Sequence, residues 1–307
     1  MISPVSSALG ETSIINRTWN EDFEDKGIEI MQQFIATACI SFIFCAAPLT
    51  AQEITKYVRY AYEGAESYGV LKGGEIHELR GNIFETVELT GQIVALDDAR
   101  LLVPVQPSKV IAVGFNYRSH LGERKPTLYP GLFAKYPTSL IATGEEIVFP
   151  PGASNVHYEG EMVLVIGRRA KHVTREEALD YVFGVTAGND VSERDWQASD
   201  LQWFRAKGSD TFGPLGPVLV RGLNPDDLLL QTRLNGEVRQ SQRTSDLVFD
   251  SSEIVSYVSQ FVTLEPGDVI YTGTPGETQS MQPGDVVEVE LEGVGILRNI
   301  IDSADAR

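Results

Sequence analysis

Cysteine is nearly missing from this chain. Its two copies, Cys39 and Cys45, both fall near the N-terminus, and residues 46–307 have none. That excludes a disulfide framework or a thiolate zinc cluster from most of the molecule. There is no G-x-G-x-x-G turn, no Walker loop and no G-x-S-x-G elbow, so dinucleotide hydride transfer, nucleotide hydrolysis and the common serine-hydrolase route all lose their signatures. Positive charge is also scarce: 25 Lys and Arg stand against 43 Asp and Glu, a formal net charge of −18. Such a chain does not seek nucleic acid or an anionic membrane. It repels an anionic substrate unless a metal or a few local cations invert the field at one site. The uncharged stretch Phe34 to Ala47 falls short of the roughly 20 apolar residues that span a bilayer. Counted from Met31, it has the length and small-residue end of a signal-peptide core cut near Ala51, although no Lys or Arg precedes it after Met31. Export and a plain N-terminal extension both remain open on these residues.

What is present is an ordinary globular composition, 42% hydrophobic and 22% charged over 307 residues, enough to bury a full core in one large domain or one plus a small one. We divide the chain into an N-terminal extension (1–52), a small β-rich unit (53–105) and a main domain (106–307). In the small unit, Lys56 to Tyr60 alternates like a strand, and Tyr68–Leu71 and Glu75–Leu79 flank a Lys72-Gly73-Gly74 hairpin turn. Pro104 to Pro107 marks the next boundary. The main domain opens on a buried strand, Lys109 to Val113. Thr174 and Glu177 form a capping box that predicts a helix over 175–182. A second helix is expected over Asp250–Phe261, with Ile254, Val255, Val258 and Phe261 on one apolar face. Pro266-Gly267-Asp268 and Pro283-Gly284-Asp285 break the C-terminal third into short strands. Few helices and many short strands point to an α+β, β-rich fold rather than a doubly wound nucleotide fold.

Three acidic residues carry the functional argument. Glu159 and Glu161 precede the apolar run Met162 to Gly167, and residues two apart on a strand share a face. Two carboxylates side by side repel unless a proton or cation sits between them. Asp190 ends a second apolar run, Tyr181 to Ala187. A third carboxylate brought to the first two makes an oxygen-rich site for Mg²⁺ or Mn²⁺, and Ca²⁺ also fits such oxygens. On spacing alone, the pair could equally be a solvated strand face. His120 and Glu123 lie three apart, so one helical turn would set a carboxylate beside an imidazole to make a general base; an incidental histidine in an exposed turn has the same spacing. His77 and His172 read as surface residues, His157 as a supporting polar group, and Trp196, Trp203 and Phe212 as core or interface.

Six segments in order, VIAVGFNYRSHLGE (110–123), VHYEGEMVLVIG (156–167), GVTAGNDVSERDWQ (184–197), WFRAKGSDTFGPLGP (203–217), TRLNGEVRQ (232–240) and PGDVIYTGTPGE (266–277), resemble the fumarylacetoacetate hydrolase family, in particular its smaller acylpyruvase-like members. The likeness covers roughly two thirds of the chain, from Lys109 to Ile300. It implies a mixed β-sandwich or roll with a few short helices, a homodimer and, for most such members, a cytoplasmic setting. Glu159, Glu161 and Asp190 match the family's three metal-holding carboxylates, and His120 and Glu123 match its water-activating dyad. Lys207 matches an active-site lysine that stabilises an enolate or oxyanion; by itself it would read as a solvated loop residue, with Arg205 a weaker candidate beside it. Gln197 and Thr274 match substrate contacts, and Arg118 is a candidate for a distal substrate carboxylate. The implied activity is hydrolysis of a carbon–carbon bond in a small anionic 1,3-dicarbonyl acid of the acylpyruvate type, with oxaloacetate decarboxylation related to it. Isomerisation of a hydroxymuconate-type diacid and cleavage of ureidoglycolate are the alternatives, and a non-catalytic metal-stabilised binding protein stands behind both.

Overall fold

The strand Gly160–Ile166 lies at the centre of the molecule, and all seven of its residues are buried. A strand covered on both faces needs apolar residues at every position, so it reads as a continuous run rather than an alternation. Met162, Leu164 and Ile166 pack on one face with Leu230, Val289 and Leu297. Val163 and Val165 pack on the other with Val110, Leu215 and Val269. Each such buried side chain contributes about 1.5–3 kcal/mol.

The computed structural model describes residues 53–303. The segment 31–51, read above as a candidate export signal, and the extension around it therefore lie outside the described residues. Among the described residues no helix is long and apolar enough to cross a membrane. The fold is β-rich α+β, as expected. Gly160–Ile166 belongs to a twelve-stranded sheet, flanked by Val182–Asn189 on one side and Val269–Tyr271 on the other. Val269–Tyr271 pairs in parallel with Val110–Gly114, and Gly131–Lys135 closes that edge. On the other side Val182–Asn189 pairs with Gly213–Arg221, which receives Thr55–Tyr62 antiparallel, Thr55 opposite Arg221. The N-terminal meander of Thr55–Tyr62, Ala65–Lys72, Glu75–Gly81 and Val87–Ala95 thus extends the same sheet. Its second hairpin turns at Gly73 and Gly74, with φ of 56° and 91°, the left-handed pair that a two-residue turn requires. A second sheet of five strands runs Glu237–Arg243, Leu229–Leu234, Val286–Leu291, Gly295–Ser303, Glu146–Phe149.

Both Pro-Gly-Asp turns form. Asp268, fully buried, accepts from the amides of Ser108, Lys109 and Glu265 at 3.0, 2.9 and 2.7 Å. It thereby ties the turn to the start of the parallel partner strand. Asp285 accepts from Gln282 N at 2.7 Å.

Two helix expectations change. Thr174 does bond Glu177, Oγ1 to Oε2 at 3.1 Å, but only a 3₁₀ turn, Ala178–Tyr181, follows. The chain must be extended again at Val182 to enter the central sheet, which leaves no room for an α-helix over 175–182. The helix Ser251–Phe261 forms and is capped by Asp250, which accepts from Glu253 N at 2.8 Å. Ile254, Val255 and Val258 are buried, but Phe261 is 67% exposed and packs its ring on Tyr257 instead. The helix ends there, and Leu264 takes the next core position.

Candidate metal centre and cleft

Glu159 stands immediately before Gly160–Ile166, and Asp190 immediately after Val182–Asn189. These strands are antiparallel neighbours with Gly160 opposite Asn189. The open end of one ladder therefore brings the two acids together, and Asp190 N donates to Glu159 O at 2.9 Å. Glu161 lies two residues further along. All three carboxylates are buried, and one oxygen from each falls within 4.8 Å of the others.

Gly160 between the glutamates has a steric reason. A Cβ there would meet Thr232 Oγ1 at 1.9 Å, so only glycine lets the five-stranded sheet approach this closely. From that sheet Gln240 accepts from Gly160 N at 3.2 Å and donates to Thr274 Oγ1 at 2.8 Å.

The charges around the triad are arranged unequally. Lys207 Nζ bonds Glu159 Oε2 at 2.7 Å and Asp190 Oδ2 at 2.5 Å. Lys135 Nζ bonds Asp190 Oδ1 at 2.7 Å, and also the Lys207 carbonyl. Arg194 reaches Glu159 Oε1 at 2.5 Å. Burial would raise the Glu159 carboxyl, but Lys207 and Arg194 outweigh it and hold the group well below the usual carboxylate range. Burial pulls both lysines down. Asp190 and Glu159 together reverse this for Lys207, whereas Lys135, with its main support from Asp190 and the like charge of Lys207 nearby, stays lowered.

Glu161 has no basic partner among the described residues; its hydrogen bond comes from Gly273 N at 2.7 Å. Burial first, then the negative charges of Asp190 and Glu159, push its carboxyl well above the ordinary value. A buried all-oxygen donor set with one uncompensated carboxylate fits a hard divalent cation. Glu159, Glu161 and Asp190 are the residues that would hold it.

A cleft of about 760 Å³ opens beside this centre, lined by His120, Glu123, Arg124, Arg194, Gln197 and Trp203 among others. Arg194 joins the two regions. It opens the short helix Arg194–Ser199, whose N-cap Glu193 accepts from Trp196 N at 2.6 Å. One turn on, Gln197 Oε1 accepts from Arg194 Nη1 at 2.8 Å. Further lining residues come from the segment that follows the strand Val110–Gly114. At its start Phe115 takes φ of 57°, a conformation that costs a bulky residue roughly 1–3 kcal/mol and tends to persist where a site needs it. Its ring stacks on His120 at 6.0 Å.

His120 lies in the four-residue helix Arg118–Leu121, and its Nδ1 meets the Gly276 carbonyl. A carbonyl only accepts, so Nδ1 carries the proton and a neutral ring keeps its lone pair on Nε2. The expected pairing with Glu123 does not form. The helix stops at Leu121 and Gly122 turns away with φ of 58°, leaving Glu123 exposed on the same cleft wall without an ion pair to His120.

The structure thus gathers the three carboxylates and Lys207, and sets His120, Glu123 and Gln197 along the adjoining cleft. Thr274 is buried against Gln240 and is not among the cleft-lining residues; Arg118 is exposed and outside the cleft as well. Trp203, expected in the core or an interface, lines the cleft and meets Phe133 edge-on at 5.2 Å. Trp196 lies under the Arg205 guanidinium at 4.4 Å, and Phe212 is in the core. His157 bonds Thr278 Oγ1 and Asn155 Oδ1, each at 2.9 Å, and burial, then Arg194, lower its pKa.

Sequence reasoning missed Lys135, Arg194, Gln240, Phe115 and Arg124. Two signals existed. Lys135 ends the apolar strand Gly131–Lys135, and Arg194 sits one helical turn before Gln197.

This arrangement has relatives. The model of the fumarylacetoacetate (FAA) hydrolase C-terminal region matches residues 109–302, and the chain belongs to that family. An Rv2993c-like N-terminal model matches residues 55–104. Protein Rv2993c of Mycobacterium tuberculosis is 45% identical over 227 residues, 72% of this chain and 86% of that protein. The mitochondrial oxaloacetate tautomerase Fahd2a of Rattus norvegicus is 39% identical over 221 residues, 67% of this chain and 71% of that one. The crystal structure of a 5-carboxymethyl-2-hydroxymuconate delta-isomerase from Mycobacterium smegmatis superposes with a TM-score of 0.77 at 42% identity, covering 81% of this chain and 99% of the other. Family members with named activities are enzymes, among them hydrolases, isomerases and tautomerases.

Proposed function

We propose that this chain moves a proton at the carbon next to the keto group of a small 2-oxo acid, a keto–enol tautomerase or double-bond isomerase dependent on Mg²⁺ or Mn²⁺. The observation that carries this reading is His120: its Nδ1 is fixed by the Gly276 carbonyl and its Nε2 is left as a base on the wall of a cleft that adjoins the acidic centre. The bound cation would act as a Lewis acid toward the keto-acid oxygens. Arg194 and Gln197 orient the substrate carboxylate at the cleft floor. His120 takes the proton from the adjacent carbon and delivers it to the substrate oxygen to complete the enol, or to the far carbon of the conjugated system when the double bond shifts. The buried ammonium of Lys207 stabilises the negative charge that develops on the substrate oxygen meanwhile.

A second reading is hydrolysis of a carbon–carbon bond in an acylpyruvate. It is favoured by Glu123, which shares the cleft wall three residues from His120. That reaction needs the two residues to come together on an activated water, a pairing the first reading does not require.

The test follows proton exchange at C3 of oxaloacetate by NMR in Mn²⁺- or Mg²⁺-loaded protein, alongside acylpyruvate cleavage. His120→Ala should slow exchange by roughly 10²- to 10⁴-fold, the usual contribution of a positioned base. Glu123→Ala should slow cleavage more than exchange. Full exchange in His120→Ala would overturn the assignment.

A further inference from the structure

The cleft holds a cation that the proposed chemistry leaves unused. Arg124 lies two residues past Gly122, the point where the short helix breaks. Its guanidinium rests over the ring of Phe115 with Cζ 4.6 Å from the centroid, and it lines the same cleft as His120 and Arg194. Most arginines among the described residues have a carboxylate within 4.0 Å. Arg124 has none, although acids outnumber bases 43 to 25 in the chain and Glu123 and Glu277 line the same cleft.

The two cleft arginines therefore differ in kind. Arg194 is committed to Glu159, Gln197 and Thr278, and it belongs to the floor. Arg124 is exposed and lies over an aromatic face, and its guanidinium N–H groups have no hydrogen-bond partner among the described residues. The contact with the Phe115 ring restrains the guanidinium while leaving its N–H groups open to the cleft, and a planar guanidinium suits bidentate binding of a carboxylate. Phe115 itself holds a strained backbone conformation, φ 57°, and carries both His120 and Arg124 on its ring, so the base and the free cation share one rigid support. Arg118, the residue that sequence reasoning suggested for a distal carboxylate, lies outside the cleft.

We propose that Arg124 is a specificity-determining residue that receives the far carboxylate of a substrate with two acid groups, so that the enzyme acts on keto diacids in preference to keto monoacids of the same length. This rests on the reading of the cleft given above, with the keto-acid end held near Arg194 and the acidic centre.

The test is a matched pair of ligands that differ only at the far end: 2-oxoglutarate, and 2-oxopentanoate, in which a methyl group replaces the second carboxylate. Their affinities for the Mn²⁺-loaded protein are measured by isothermal titration at fixed ionic strength, for the native chain, Arg124→Met and Arg124→Lys. The native protein should prefer the diacid by about tenfold or more, the ratio expected of one charge-assisted hydrogen-bonded pair. Arg124→Met should bring that ratio to about one, and Arg124→Lys should restore part of it, since lysine keeps the charge without the planar fork. Thermal melts establish that both variants are folded.

Equal affinities in the native protein, with both ligands bound, would overturn the inference while leaving the site intact. A diacid preference that survives in Arg124→Met would overturn it too, and would place the recognition elsewhere in the cleft. If neither ligand bound, the reading of the cleft as a keto-acid site would fail, and this inference with it.

Discussion

Lys135→Met removes a buried cation whose contacts are all defined. The Lys135 side chain is fully buried, and Nζ lies 2.7 Å from Asp190 Oδ1. At that distance and an effective dielectric of about 20, the gross attraction is roughly 6 kcal/mol, from which the desolvation of two buried ions takes back several kcal/mol. Breaking a buried pair from one side typically costs about 3–5 kcal/mol, because it strands the other charge. Asp190 keeps Lys207 on its other oxygen at 2.5 Å, so we place the loss at the lower end, about 3 kcal/mol. For a chain of this size that corresponds to a Tm about 5 °C lower. Circular-dichroism melts and urea titrations of the two proteins measure it, and the urea slope should not change. The partner variant separates cause from coincidence: with Asp190→Asn already in place, Lys135→Met should cost much less, since the charge it strands is gone. A Tm change under about 2 °C, or strictly additive losses in the double variant, would refute the reasoning.

Glu161→Gln should weaken Mn²⁺ binding at least tenfold by titration calorimetry, since it removes the carboxylate that lacks a basic partner. The same variant carries a pH signature. The folded Glu161 carboxyl is raised above its ordinary value of 4.5, so the stability it contributes is present below that value and is lost as pH rises through the folded one. In EDTA, Glu161→Gln should match the native protein at low pH and become relatively more stable toward pH 8; parallel curves would count against an ionising buried Glu161. Gly160→Ala should cost about 1–3 kcal/mol by overpacking against Thr232, and Thr232→Ala in the same chain should recover part of that in denaturant titrations. Independent, additive effects at these two positions would show that the close approach is not the cause.

Much of the centre could be read in the chain because it depends on short-range rules. Glu159 and Glu161 share a face by strand alternation, Asp190 follows an apolar run, and the Gly73-Gly74 and Pro-Gly-Asp turns announce themselves by residue type. What escaped depends on tertiary packing. Nothing local says that Lys135 folds inward onto Asp190, a residue 55 positions away. Nothing local makes Gln240 of the second sheet the neighbour of Gly160 and Thr274. His120 and Glu123 have helical spacing, yet Gly122 and the demands of the following loop end the helix between them. The capping box at Thr174 formed its bond, but strand entry at Val182 overrode the helix that normally follows.

One amide, that of Gln240, touches both the backbone between the two glutamates and the turn that holds Thr274. The two sheets are therefore geared together at the acidic centre. A slight shift of the strand Glu237–Arg243, which forms the outer edge of its own sheet, would move the glutamates and the Gly273–Pro275 turn in concert. Divergence within this fold thus has a route for adjusting the geometry of the acidic centre through an outlying strand, with every residue of that centre left as it is.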